Sequence, residues 1–548
     1  MEEKILSGYC KDHKTGQRFF PYTHPKCIID ESGKNYDEIM KEIVKTADEQ
    51  RQAESDIFDS KEEKRDKANE AALNAAEKLS ELGNLSQKID ESNKVLAQTE
   101  TSLKNTSDKV NALGATIEDL LVYGVVIDED LASPDLERIG NLTLHRSLPV
   151  QSLMRRCLLL DNGDVNYYLD TNNSLLKEDG TAAVLDGTDG QVMVEIPKHY
   201  RRLTVLETKG DDSYKYKVEI SLYPIKNAVE VPLMYVSAWE VTVDRSNGNM
   251  LSSVVNPSTR YRGGNNQTSW DGTYRSQLGM PATSISLNAY RSNARKRGEG
   301  WNCYEYRAHL AIFWLYTIEY ATLNSQKAYN ADLSDEGYRQ GGMGDGVTNI
   351  NSTKWNTYNS YYPIVPCGYT ASLGNNTGIV PFSFNEEQQA AYGGAWTTNV
   401  PSYRGVENPF GHIFKWTDGV MFAISADADG GTSLACRPAE TSEYGDTSKQ
   451  VPFGNIPRTN GYMQKAIIQP NADIIPREAS GSSSTYFCDN FYTSLPASGT
   501  SWRGLLLCGG AYSGASAGLA YVLSNGAASN ATAYFGSRLC YCQTSKLY

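Results

Sequence analysis

Six apolar residues, Leu82, Ile89, Leu96, Leu103, Val110 and Ile117, fall seven apart without a break. A second series, Leu85, Ser92, Thr99, Thr106, Leu113 and Leu120, follows three residues behind. A helix advances 3.6 residues per turn, so a strict seven-residue repeat keeps one face aligned only if helices supercoil around each other. This spacing predicts a coiled-coil stalk over 36–121, a stretch without proline. Its regular part would reach about 60 Å. Ser or Thr at three layers of the second series weakens the seam and should set its register. Such a seam needs partner helices, so a homo-oligomer is expected. Three chains (a homotrimer) are favoured, although the spacing itself is equally open to two. Residues 1–35, mixed in composition and followed by a helix that Ser32 or Asn35 could cap, read as an attachment segment.

Beyond 121 the period changes from seven to two. "QVMVEIPKHYRRLTVLE" (191–207) and "YKYKVEISLYPI" (214–225) alternate apolar and polar residues as half-buried strands do. They place a small β-rich shoulder at 122–228. Residues 229–548 are rich in Gly, Asn, Tyr and Trp, with turn dipeptides such as NG and DG. Their one strong helix is "EYRAHLAIFWLYTIEYATL" (305–323). It is too short for a membrane span and carries Glu319. The fold class expected is α+β, with stalk, shoulder and head.

Several chemistries are disfavoured. A formal charge of −13 argues against a nucleic-acid surface, which wants a basic patch. The ten cysteines contain no CxxC pair and no zinc-like grouping, so free thiols and no metal are expected. The N-terminus has no apolar signal region, and synthesis in cytoplasm is expected. The six histidines are scattered, and no GxSxG elbow or phosphate loop occurs. His412 reads as a structural histidine. Asp427 and Asp429 faintly resemble a calcium loop and read as a solvated turn. No catalytic residue, cofactor or membrane insertion is expected.

The end of the chain is the best candidate for binding. Residues 508–536 are dominated by Gly, Ala, Ser and Asn, with Tyr512, Tyr521 and Tyr534 isolated among them. Tyrosine on a glycine-permissive backbone with small polar neighbours is the mixture that recognition loops use. The flanks "WRGLLLCGG" and "FGSRLCY" look like core strands that would hold the middle rigid.

"RGVENPFGHIFKWTDGV" (404–420) and "SWRGLLLCGG…GSRLCY" (501–541) resemble the C-type-lectin-type fold of the formylglycine-generating-enzyme kind. More closely they resemble the variable proteins of diversity-generating retroelements carried by phages of gut bacteria, of the Bacteroides type. The stretches 138–159, 256–279 and 301–326 belong to the same resemblance, which spans roughly 122–548. It implies a tail-fibre receptor-binding protein located in the virion. Its partners would be phage tail or baseplate proteins at the N-terminus and a host-surface protein or polysaccharide at the head. It also implies adenine-targeted rewriting of chosen codons, which never yields Trp, Lys or Glu; none occurs between Gly509 and Gly536. The diversified, ligand-binding positions would be Gly510, Tyr512, Ser513, Ser516, Leu523, Asn525, Gly526, Thr532 and Tyr534, all pointing outward. Gly514, Ala515, Ala517 and Gly518 would be framework, with Gly536 and Arg538 anchoring the last strand. The EPN, QPD and WND signatures of calcium-dependent sugar binding are absent. The reactive cysteine pair of the oxidase relatives would need Cys508 to meet Cys540 or Cys542, and an enzyme is not expected. The rival readings are a capsular-polysaccharide depolymerase on a trimeric fibre and a structural fibre protein without ligand.

Overall fold

The computed structural model describes residues 65–67, 69–70, 94–104, 106, 118–210 and 212–547. The attachment segment at 1–35 and most of the stalk lie outside them. The seam residues that are described, 94–104, 106 and 118–121, are helical. Val95, Leu96, Leu103 and Leu120 stand exposed along them. Thr99 and Thr106 return their hydroxyls to the carbonyls of Val95 and Ser102, which satisfies two polar groups on the seam locally.

Residues 122 onward form a mixed α+β, sheet-rich unit distinct from Tyr22–Leu121. A five-stranded antiparallel sheet is drawn wholly from the first hundred or so residues of this unit. Its order is Glu137–Gly140, Tyr123–Asp128, Ser213–Ser221, His199–Lys209 and Val229–Val231. A six-stranded antiparallel sheet takes three strands from either side of residue 228. Arg155–Leu159, Val165–Tyr168 and Gln191–Ile196 join Met234–Ser237, Trp301–Cys303 and Leu539–Tyr541. The boundary expected at 228 is therefore crossed by a continuous hydrogen-bonded ladder. The last strand of the chain is clamped between strands that precede it by more than two hundred residues. An eight-stranded sheet, centred on Phe414–Ser425 and Thr500–Leu507, carries the C-terminal tail.

The Tyr306–Tyr320 helix lies within the core, and all fifteen of its residues are buried. Apolar and aromatic residues occur all round it, so it has no polar face to offer water and packs in the interior. Its one carboxylate, Glu319, is charge-paired there. It accepts hydrogen bonds from the Tyr403 hydroxyl at 3.0 Å and from the Arg404 guanidinium at 3.0 and 2.6 Å. No described helix is long and apolar enough to cross a membrane.

Three further helices, Leu287–Arg295, Ser352–Asn359 and Glu386–Tyr392, accompany it. The sequence reading placed one strong helix in this region, because these three are short and polar. Each starts at a capping side chain, Ser286, Asn351 or Asn385, that accepts from a first-turn amide.

Removing Glu319 should leave the Arg404 guanidinium and the Tyr403 hydroxyl without their buried acceptor. The variant Glu319→Ala is expected to lose about 3–5 kcal/mol of stability. Urea unfolding followed by tryptophan fluorescence measures this, and Glu319→Gln should retain part of the difference.

Candidate functional site

The tail leaves the eight-stranded sheet after Leu507. Cys508 and Gly509 take left-handed backbone conformations, with φ of 78° and 73°. They turn the chain over the sheet end. Space is short here: a Cβ on Gly509 would sit 2.8 Å from that of Ala517, and one on Gly510 would sit 2.8 Å from the Phe414 ring.

From this turn onward the backbone is held by groups rooted elsewhere. Ala511 gives its amide to the His412 carbonyl at 2.9 Å and takes the Ile350 amide at 2.9 Å. The Gly514 amide donates to Thr348 at 2.8 Å. The Gln326 side chain donates to the carbonyls of Gly514 and Ala517 at 2.9 and 2.5 Å. His309 Nε2 sits 2.7 Å from the Leu519 carbonyl, and the Ser325 hydroxyl accepts the Leu519 amide at 3.1 Å. Asp489 accepts the Ala520 amide at 2.7 Å. Farther on, the Ser524 amide donates to Tyr492, and the Gly526, Thr532 and Tyr534 carbonyls accept from Gly504, Ser284 and Phe414. The short strands Val522–Leu523 and Phe535–Gly536 complete the attachment.

The predicted site residues divide under this constraint. Tyr512 is 38% exposed, and Ser513, Ser516, Asn525, Thr532 and Tyr534 are half-buried. Gly510, Leu523 and Gly526 are buried, which corrects the expectation that all nine point outward. Leu523 lies in a strand paired with Leu506. A Cβ on Gly510 would enter the Phe414 ring, and one on Gly526 would come within 3.2 Å of Trp416. Tyr521 is also buried, with its ring 5.6 Å from Phe414. Among the expected framework residues, Ala517 and Gly518 are buried, whereas Ala515 is exposed and Gly514 half-buried with φ of 57°. A Cβ at Gly518 would lie 2.0 Å from the Asp489 carboxylate.

The outward rings form one aromatic group. Tyr534 meets Tyr512 edge to face at 5.6 Å and Tyr361 at 5.8 Å. All three surround Trp355, at 6.2, 6.0 and 5.5 Å. Trp355 and Tyr361 lie outside the tail, and composition drew no notice to them. The only available signal was their place in "KWNTYNSYYP", another tyrosine-rich run. Burial holds the Tyr512 phenol well above the ordinary phenol range, with the phenols of Tyr534, Tyr521 and Tyr361 adding to the effect.

Beneath the tail the "ENPFGH" residues face inward. Glu407 accepts the Gly368 and Thr370 amides at 3.0 and 2.6 Å, and burial raises its carboxyl to about 7 against the pull of Thr370 and Arg156. His412 Nε2 accepts the amides of Ile364 and Val365 at 3.0 and 3.1 Å. Its Nδ1 therefore carries the proton and donates to Glu240, which also pairs with Lys415 at 2.9 Å. Burial opposes ionisation of Glu240, but Lys415 and His412 outweigh it and hold the carboxyl at about 2. Arg538 is sealed and donates to the carbonyls of Ser237, Glu407 and Asn408.

Cys508 follows a strand of the eight-stranded sheet, while Cys540 lies in the six-stranded one. The eight described cysteines are free and buried, and burial raises the Cys508 thiol to about 12. Asp427 pairs with Arg458 at 2.5 Å, and Asp429 accepts the Gly499 amide. No group that could hold a metal occurs among the described residues.

No protein-family model matches the chain, and no curated protein matches it. Among solved structures it is similar to PvdO from Pseudomonas aeruginosa, at 11% identity and a TM-score of 0.28, over 67% of this chain and 98% of that one. It is also similar to the Major Tropism Determinant U1 variant, at 11% identity and a TM-score of 0.22, over 72% of this chain and 73% of that one. Neither likeness is close enough to assign a fold or a role.

Two predictions follow from the packing. Gly518→Ala should cost about 1–3 kcal/mol, because the methyl group meets Asp489. Ser513→Ala, which takes away the acceptor of the Gly510 amide, should cost about 1 kcal/mol, whereas Asn525→Ser should stay within about 0.5 kcal/mol, both measured by thermal and urea unfolding.

Glu240 gives a pH dependence. Its carboxyl is held below its unfolded value of 4.5, so its stabilisation is present above pH 4.5 and lost as pH falls toward about 2. The stability gap between wild type and Glu240→Gln should shrink by about 3 kcal/mol over that window. Urea titrations at a series of pH values measure it.

Proposed function

We propose that this chain is the receptor-binding protein of a bacteriophage tail fibre. In this reading residues 1–35 attach to the phage tail or baseplate, and the 36–121 stalk joins three chains. The unit from 122 onward is a C-type-lectin-like head whose tail surface contacts a protein or polysaccharide on the host bacterium. The reading includes no catalytic step. Its positions open to rewriting are Tyr512, Ser513, Ser516, Asn525, Thr532 and Tyr534, while Gly510, Leu523 and Gly526 are withdrawn because they are buried.

One observation carries the reading. The tail presents aromatic and small polar side chains at its surface on a backbone fastened mainly by groups outside it, to which Ser513 adds by accepting the Gly510 amide at 2.9 Å and Ser516 by donating to the Ser513 carbonyl at 2.7 Å. Such a surface tolerates a change of chemistry where its side chains reach solvent, because exposed substitutions leave stability within about 0.5 kcal/mol. Three linked sites would exceed one by roughly 100- to 10,000-fold when geometry lets them engage together. Weak individual contacts would then suffice for adsorption.

Fluorescently labelled full-length protein, mixed with a panel of gut bacterial isolates, should adsorb to some and not others. Tyr512→Ala and Tyr534→Ala should reduce adsorption at least about tenfold with the fold intact, a loss of about 1.4 kcal/mol. A folded oligomer that adsorbs to no isolate would overturn the reading.

A further inference from the structure

We propose that the contact surface extends beyond the tail onto a frame of tyrosines, Tyr361 beside Tyr534, and Tyr462 and Tyr492 on the strands next to Val522–Leu523. We further propose that this frame binds an uncharged saccharide of the bacterial surface. The inference rests on the receptor-binding reading above.

The first observation is a strained backbone. The Ser352–Asn359 helix ends at Ser360 in a left-handed conformation with φ of 58°. One such residue is enough to terminate a helix. Tyr361 repeats the conformation with φ of 68°. Non-glycine residues with bulky side chains avoid this region, and cases that persist cluster at binding sites. The second turn sets the Tyr361 ring edge-on to Trp355 and to Tyr534 at the rim of the tail. Tyr361 is half-buried, and its hydroxyl makes no hydrogen bond to another described residue.

The rest of the frame is built from the strands Asn490–Tyr492 and Gly461–Tyr462, which continue the sheet beyond Val522–Leu523. Tyr492 is 42% exposed and Tyr462 half-buried. Both lie close enough to Tyr521 to add to the burial that raises its phenol, as does Tyr534. Tyrosines outside the tail thus border it at Tyr534 and at Tyr521.

Charge selects the ligand. No Asp, Glu, Lys or Arg occurs from Gly509 to Gly536, and the frame residues are neutral. An anionic capsule would find no cation there. Trp355 is sealed beneath the rings. Tyrosine rings for the C–H face of a sugar ring, bordered by Ser513, Ser516 and Asn525 for its hydroxyls, match an uncharged saccharide.

The test uses the full chain on an isolate to which it adsorbs, with cells pretreated by metaperiodate or by proteinase K. Metaperiodate should abolish adsorption and proteinase K should spare it. Tyr361→Gly and Tyr492→Ala should lower adsorption at least about tenfold, and Tyr361→Phe should stay within about twofold. The Tm of Tyr361→Gly should stay within about 2 °C of wild type, because relief of strain offsets lost ring contacts. Adsorption that survives metaperiodate but not proteinase K identifies a protein receptor and overturns the proposal. So does adsorption that needs Tyr512 but neither frame tyrosine; in both cases the receptor reading stands. A fall of more than about 5 °C in the Tm of Tyr361→Gly marks the ring as structural and overturns the proposal whether or not a host is known.

Discussion

Hydrogen bonds from core residues to the backbone of the tail are the interaction on which the account depends. A chain segment of glycine, alanine, serine and asparagine cannot fix itself, since it has little apolar area to bury and much backbone freedom to lose. Here that order is imposed from below. His309 rises from a wholly buried helix to the Leu519 carbonyl, and Asp489 reaches the Ala520 amide. Ser325 and Gln326, just beyond the same helix, hold Leu519, Gly514 and Ala517. The small residues of the tail are what allow these groups to come so close. Gly518 leaves room for a carboxylate, Gly509 for a neighbouring alanine, and Gly510 for a phenylalanine ring.

The supports are themselves supported by charge pairing. His412 and Glu407, the two ends of "ENPFGH", hold the loops at 364–365 and 368–370 by their amides. Glu240 fixes the His412 tautomer, and Arg538 ties the last strand to carbonyls at 237, 407 and 408. Buried charges of this sort are costly unless every partner is present, so they tend to define one arrangement of the chain. Charge is concentrated beneath the tail and absent from its surface, which separates the task of folding from the task of contact.

Much of this could be read in the sequence, and the gaps have physical causes. Alternation located the strands at 191–196 and 213–221, although the first is buried at every residue and not on one face alone, and a high density of apolar and aromatic residues located the buried helix. Glycine, serine and tyrosine singled out the tail. Period and composition carry no information on which strands pair at long range, so the ladder joining 155–196 to 539–541 was invisible. For the same reason Leu523 and Tyr521 read as exposed: in a segment without alternation, inward and outward positions are decided by strand pairing and by rings such as Phe414. The contribution of Trp355 and Tyr361 was hidden because it depends on a loop more than 150 residues earlier meeting the tail. The described part of the stalk is helical, while the partnership of its seam stands as expectation.

The most direct test of the central claim is amide hydrogen exchange across 508–536. It should compare wild type with a chain in which Tyr512, Ser513, Ser516, Asn525, Thr532 and Tyr534 are all replaced together. If the backbone is held from below, the amides of Ala511, Gly514, Leu519, Ala520 and Ser524 will exchange slowly and at matching rates in both proteins. Rapid exchange at those amides in the substituted protein alone would show that the outward side chains hold the tail in place, and the account would fail.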